Sequence, residues 1–208
     1  IANGSAAWKL PDLSQYPSIT PPYVTAEMQE GWSPYKRNPE TDVRYWAVPG
    51  TPGFTHRIGG LEKSAATGAI SNDPANHHSM VETRARKVEK IALDIPEQQV
   101  EGCEDADLLI VGFGGTYGHL CEAMQQMIAE GKKVALAHFQ YINPLPRNTE
   151  EILRRYKKIV VAEQNMGQFA GYLRTRISGI ELQQYNEVKG QPFVVADLVK
   201  EFTKIMEG

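Results

Sequence analysis

The sequence predicts an α/β fold: a three-layer α/β/α arrangement around a mostly parallel sheet, preceded by an irregular, proline-rich N-terminal arm. Three observations predict it. From Asp107 onward, short and nearly continuous apolar runs alternate with segments of 3.6-residue periodicity, the pattern of strands buried on both faces and covered by amphipathic helices. The first run, residues 108–111, breaks into a turn rich in glycine (Gly112, Gly114, Gly115, Gly118) that opens directly into a helical segment. Before residue 75, by contrast, prolines recur at positions 11, 17, 21, 22, 34, 39, 49, 52 and 74, each fixing φ and removing a backbone donor.

Residues 1–94 read as an extended arm followed by a connecting helix. Short strands are expected in the arm, chiefly at residues 44–48. Trp8, Tyr16, Tyr23, Trp32, Tyr35, Tyr45 and Trp46 are too many rings for a disordered tail and predict an arm packed on another surface, of this chain or a partner. Residues 76–93 place Val81, Ala85, Val88, Ile91 and Ala92 at helical spacing, with Arg84, Arg86, Lys87, Glu89 and Lys90 on a solvated face. Asn76, or Pro74 before it, suits the helix start.

Residues 95–208 read as the α/β domain. Strands are expected at Leu108–Phe113, Val134–Phe139 and Lys158–Glu163, with a fourth over 180–188. A helix over 116–130 directs Tyr117, Leu120, Cys121, Met124, Met127 and Ile128 inward, begins at Thr116 as N-cap and ends at Gly131. A helix starting near Thr149 buries Ile152, Leu153 and Tyr156. The next, over 167–178, buries Phe169, Tyr172, Leu173 and Ile177, and the last, over 195–206, buries Leu198, Val199, Phe202, Ile205 and Met206.

Among 208 residues, 22 Lys+Arg against 25 Asp+Glu give a formal charge of −3, so neither nucleic acid nor a membrane surface is an expected partner. No apolar run approaches the ~18 residues of a membrane span. Chain start at Ile1, without a basic or cleavage-site pattern, is expected of a piece of a longer protein rather than a secreted one. Cys103 and Cys121 are read as reduced structural thiols of a cytoplasmic protein, too few for a cluster that takes about four thiolates.

Candidate chemistry concentrates in three turns. In GFGGTYG, Gly112 and Gly114 fit a dinucleotide fingerprint, but Tyr117 holds the third glycine position and Gly118 comes one residue late. His138 and Phe139 stand where a ribose-binding acid belongs. What remains is an anion contact by the backbone of Gly114, Gly115, Thr116 and Tyr117, with a capped structural turn as the simpler alternative. In VAEQNMGQ, Glu163, Gln164 and Asn165 end a strand at the edge where clefts open, and are candidates for an active-site rim or interface beside a satisfied turn. In VPGTPGFTHRIGGLEKSAATG, glycines fold a loop that holds His56, Arg57, Glu62 and Lys63, and His56 and Arg57 join the rim or interface candidates. His77 and His78 are adjacent and diverge on any regular backbone, so polar contacts at the helix start are expected of them rather than a metal site.

Taken together, IANGSAAWKLPDL, RYWAVPGTPGFTHRIGGLEKSAATG, NHHSMVETRARKVEKI, VGFGGTYGHLCEAM, YINPLP and VVAEQNMGQFAGYLR resemble the alpha subunit of 2-oxoacid:ferredoxin oxidoreductases, most closely the 2-oxoglutarate type. The resemblance runs in order along essentially the whole chain. It implies the C-terminal third of that subunit, from the end of a pyrimidine-binding domain through a domain similar to the transketolase C-terminal domain. It implies a complex that converts 2-oxoglutarate and coenzyme A to succinyl-CoA, CO2 and reduced ferredoxin, with thiamine diphosphate, Mg2+ and an iron–sulfur cluster in the holoenzyme. The partners implied are a beta subunit, the remainder of the alpha subunit, and ferredoxin. No GDG motif or cysteine set is present, so catalytic residues are not carried over and no cofactor is expected in this stretch. The implied role is packing, subunit association and shaping of the active-site rim. The alternative is a freestanding module that binds an anionic nucleotide such as coenzyme A at the 112–118 turn.

Overall fold

The computed structural model describes residues 12–15, 18 and 20–208. Trp8, Tyr16 and most of the IANGSAAWKLPDL segment lie outside these described residues. The described chain divides into two compact units, residues 12–94 and 95–208.

The second unit is a five-stranded sheet built from β1 (Glu101–Gly102), β2 (Leu108–Phe113), β3 (Val134–Phe139), β4 (Lys158–Glu163) and β5 (Gln183–Asn186), in the order β1-β3-β2-β4-β5. β2 pairs in parallel with both β3 and β4, and β4 with β5; only β1 runs antiparallel, against Ala135 and Leu136. The three central strands are buried on both faces, as their unbroken Val/Leu/Ile/Ala content requires. Alternation along them separates two cores. Leu108, Ile110, Leu136 and Val160 meet α2 (Tyr117–Ala129) and α5 (Val195–Glu207) through Leu120, Met124, Met127, Leu198 and Phe202. Leu109, Val111, Ala137 and Val161 meet α3 (Thr149–Arg155) and α4 (Gln168–Arg176) through Ile152, Leu153, Phe169 and Leu173.

The expected three layers are therefore present, and three strands and four helix starts fall within a residue of the periodicity reading. β5 is shorter than expected because only Gln183–Asn186 finds a partner, Val160–Glu163 of β4, and its side chains are mostly exposed. β1 escaped the sequence because two exposed residues have no periodicity. Thr116 occupies the N-cap position of α2 but does not cap it with its side chain. Residues Gly114–Thr116 form a 3-10 turn, and the Thr116 hydroxyl donates instead to the carbonyl of Phe113, 3.0 Å away.

The first unit contains one long helix, α1 (Pro74–Lys90), extended by a 3-10 turn over Ile91–Leu93. Asp73, not Asn76, caps it: its carboxylate accepts from the N–H groups of Ala75 and Asn76, with Pro74 in the first turn where no donor is lost. Asn76 instead ties the helix to the glycine loop, donating to Lys63 O at 2.9 Å and accepting from Ala65 N at 3.1 Å. The expected strand at 44–48 is reduced to single bridges, Arg37 with Arg44 and Tyr23 with Trp46, in a stretch bounded by Pro39 and Pro49.

The orientation of α1 differs from its hydrophobic pattern. Val81, Ala85 and Ile91 are exposed and Met80 is its one buried side chain among the described residues. The charged residues do the anchoring: Arg86 and Lys90 bind Asp42, while His77 and Arg84 bind Glu62. The rest of the unit has little apolar surface to offer, chiefly Trp32, Phe54 and buried Pro34, so its polar groups claim the helix.

Candidate functional site

In the α/β unit the helices that follow β2 and β3 leave to opposite faces, which opens a crevice at the C-terminal ends of these two strands. A cleft of about 510 Å³ lies there, lined by Gln98, Glu101, Gly114, Tyr117, His138 and Tyr141 among others. The local sequence explains the crevice. Gly112 lets α2 close onto β2, because a Cβ there would stand 2.3 Å from Leu120 Cδ1 and 3.0 Å from Thr116 Oγ1. Gly114 turns the chain at a φ of 63°, where other residues are strained.

Two side chains are held in defined states. The Tyr117 hydroxyl donates to a Glu101 carboxylate oxygen at 3.0 Å, and that carboxylate, with partial burial, pushes the phenol up to about 12. The His138 ring packs edge-on to Tyr117, centroids 5.2 Å apart, and burial holds its pKa down at about 4. His138 Nε2 lies 3.3 Å from Thr116 Oγ1, which in turn lies 3.0 Å from Phe113 O, so the ring is tied into the 3-10 turn that opens α2. The cleft thus presents a neutral imidazole, an un-ionised phenol and glutamine amides (Gln98, Gln99, Gln140), with Glu97 and Glu101 and no lysine or arginine in its lining. That field opposes an anion at the Gly114–Thr116 turn and suits neutral hydrogen-bonding groups.

The turn after β4 is fully engaged. Glu163, a rim or interface candidate beside a satisfied turn, is only 1% exposed. Its two carboxylate oxygens accept from the N–H groups of Phe169 (2.8 Å) and Ala170 (2.9 Å). Asn165 Oδ1 accepts from Gly167 N (2.7 Å) and Gln168 N (3.1 Å). Between them, the acid and the amide satisfy the donors that open α4, so Glu163 serves as a buried helix cap, the satisfied turn of the two readings. Gln164 reaches across to Gln191 O at 2.7 Å.

In the first unit, His56 and Arg57 both line a separate cleft, with Trp32, Gln29 and Lys63. His56 donates from Nδ1 to Phe54 O at 2.8 Å and stands edge-on to Trp32, centroids 4.9 Å apart; Arg57 is exposed. The candidates read from sequence therefore fall into a β2/β3 crevice, a capping turn and a loop cleft. Gln98 and Tyr141 sit on irregular backbone and Glu101 in a two-residue strand, so no sequence pattern points to them. His138 is legible by its place near the end of a strand, where the sequence marks it as unsuited to a ribose.

The doubly wound domain and its crevice define a class: residues 106–196 match the pyruvate:ferredoxin oxidoreductase core domain II family. Across 95% of its length the chain is 42% identical to the 2-oxoglutarate oxidoreductase subunit KorA of Mycobacterium tuberculosis, of which it spans 30%. It is 29% identical over 80% of its length to the alpha subunit of 2-oxoacid:ferredoxin oxidoreductase 1 of Aeropyrum pernix. Among solved structures, the 2-oxoglutarate:ferredoxin oxidoreductase from Magnetococcus marinus, with 2-oxoglutarate, coenzyme A and succinyl-CoA bound, superposes with a TM-score of 0.83. That match is 30% identical and covers 94% of this chain and 34% of that one. The chain belongs to the alpha-subunit family of the 2-oxoacid:ferredoxin oxidoreductases, and spans about a third of the length of the relatives it matches.

Proposed function

We propose that the chain serves in the alpha subunit of a 2-oxoglutarate:ferredoxin oxidoreductase, which oxidatively decarboxylates 2-oxoglutarate in the presence of coenzyme A to succinyl-CoA, CO2 and reduced ferredoxin. The observation that carries this is the similarity to KorA, 42% identity across nearly the whole chain, joined by the structural match to an enzyme holding 2-oxoglutarate and coenzyme A.

Within that assembly, these residues pack, associate and shape the surroundings of the active site, and supply no catalytic group. The donor inventory supports this division. Two cysteines, Cys103 and Cys121, fall short of the thiolates a cluster takes, and no group of three or more His, Cys, Asp or Glu side chains among the described residues could hold a metal. Thiamine diphosphate, Mg2+ and the cluster are assigned to other parts of the complex. The outward stripe of α1 supports the packing role: Val81 and Ala85, with exposed Trp46, Ile58 and Leu93 on the same unit, suit contact with the remainder of the alpha subunit or with a beta subunit. A beta subunit and ferredoxin are the partners this reading requires, and the cytoplasm its compartment. Among the described residues no helix is long and apolar enough to cross a membrane.

The test is reconstitution. Full-length alpha subunit co-expressed with its beta subunit is expected to reduce a low-potential acceptor in the presence of 2-oxoglutarate and coenzyme A, and residues 1–208 alone to show no turnover. Full activity from residues 1–208 alone would overturn the assignment of a supporting role. Flat isotherms on titrating coenzyme A into the chain would leave the nucleotide-module alternative without support.

A further inference from the structure

The cleft of the first unit has a chemistry that the assembly role does not explain. About 580 Å³ in volume, within the range of small-molecule sites, it is lined by three turns of the arm and glycine loop, at residues 29–34, 53–57 and 63–70. Its walls are closely built. Gly53, at a φ of 80°, has the Gln29 amide lying where a Cβ would stand, and Gly68, at 74°, has the Pro34 ring against it.

No aspartate or glutamate lines this cleft, while Arg57 and Lys63 both do. Lys63 is 2% exposed, and its ammonium group donates to the carbonyls of Gly59 (3.2 Å), Gly60 (2.5 Å) and Leu61 (2.9 Å). Carbonyls hold the cation but do not neutralise it, so its field extends into the cleft. Glu62, the adjacent acid, is committed to His77 and Arg84 and does not line the cleft. Arg57 makes no hydrogen bond or ion pair with any described residue, leaving its planar five-donor fork free. The indole N–H of Trp32, whose ring forms part of the lining, is buried and has no acceptor.

We propose that this cleft is a binding site for a small oxyanion, a carboxylate or phosphate group held by the Arg57 fork in the field of Lys63, with the Trp32 indole N–H as a further donor in its wall. The excess of positive charge, the absence of any acid in the lining and the two donors without acceptors all select the same ligand charge. The site is distinct from the β2/β3 crevice, whose lining carries the opposite charge balance.

Trp32 also provides the signal. The intact protein is titrated separately with inorganic phosphate and with succinate while its tryptophan fluorescence is followed, and the two arms tell a phosphate from a carboxylate source. Saturable binding of one of them is expected, with a dissociation constant on the order of 1 mM or below, weakened at higher NaCl. Arg57→Ala, a change at an exposed position, is expected to weaken binding at least about tenfold. Trp32→Phe is expected to weaken it a few-fold when binding is followed by calorimetry. Flat titrations with both anions, or binding that Arg57→Ala leaves unchanged, would overturn the proposal. No turnover enters the measurement, so its failure leaves the oxidoreductase assignment untouched.

Discussion

Asp42 and Arg86, 44 positions apart, form a two-point ion pair: Arg86 Nε and Nη2 donate to the two Asp42 carboxylate oxygens at 2.8 and 3.1 Å. Lys90 Nζ joins at 2.8 Å, and Asp42 itself sits at a φ of 57°, in the left-handed region that aspartate and asparagine tolerate better than most residues. The pair fixes the arm to the charged side of α1. Arg86, then Lys90, hold the Asp42 carboxyl well below the usual carboxylate range. Its contribution is thus present above the ordinary carboxylate pKa of about 4 and is lost as pH falls toward the depressed value. Asp42→Asn, which keeps the backbone preference and removes the charge, should lower the melting temperature at pH 7. That difference from the parent should shrink as the pH is taken below about 4, and thermal scans across pH will measure it.

Glu163 should act through stability. Both of its oxygens serve α4, so Glu163→Ala leaves buried N–H groups without acceptors and should cost about 1–3 kcal/mol in denaturant unfolding. Glu163→Gln, retaining one acceptor, should cost less. In a reconstituted complex at permissive temperature, neither should alter the KM for 2-oxoacid.

His138 predicts an acid limit for the α/β unit. Burial lowers its pKa from 6.5 to about 4, so between these values the unfolded chain takes up a proton that the folded chain refuses. Stability should therefore fall as pH drops through that window. His138→Asn should flatten this part of the profile, and the difference between the two pH–stability curves isolates the histidine from carboxylates that titrate nearby in pH.

Gly112→Ala should destabilise by about 1–3 kcal/mol, because the added methyl meets Leu120 and Thr116 before either α2 or β2 can yield. The loss should appear in unfolding of the α/β unit and in hydrogen exchange along α2.

Val81→Glu and Ala85→Lys should leave the melting temperature of the isolated chain nearly unchanged, since both sites are exposed. In the proposed assembly they should weaken association with the rest of the alpha subunit or with the beta subunit, measured by analytical ultracentrifugation.

The sheet was legible because its central strands satisfy one requirement, burial on both faces, that apolar content alone reports. β2, β3 and β4 could be bounded to the residue. The charged side of α1 was misjudged for the opposite reason: periodicity says which residues share a face, but not whether apolar or ionic partners are available to receive it. Arg86 found Asp42 and Val81 found no cover among the described residues. Of the site candidates, Asn165 and Glu163 read as rim contacts beside a satisfied turn, and the positions of four N–H groups show the turn. Tyr117 was legible as the residue that spoils a dinucleotide turn; its bond to Glu101 depends on a two-residue strand that no pattern announces.

The ring of carbonyls around Lys63 has a chemical consequence. A lysine amine attacks thioesters and other acyl donors through its lone pair, yet here all three ammonium hydrogens are engaged and the nitrogen is sealed from solvent. In the complex proposed above, whose product would be an acyl thioester, this residue should escape adventitious acylation while exposed lysines such as Lys36 and Lys157 accumulate it. Acyl mass at Lys63 would then report that the 59–61 loop had opened.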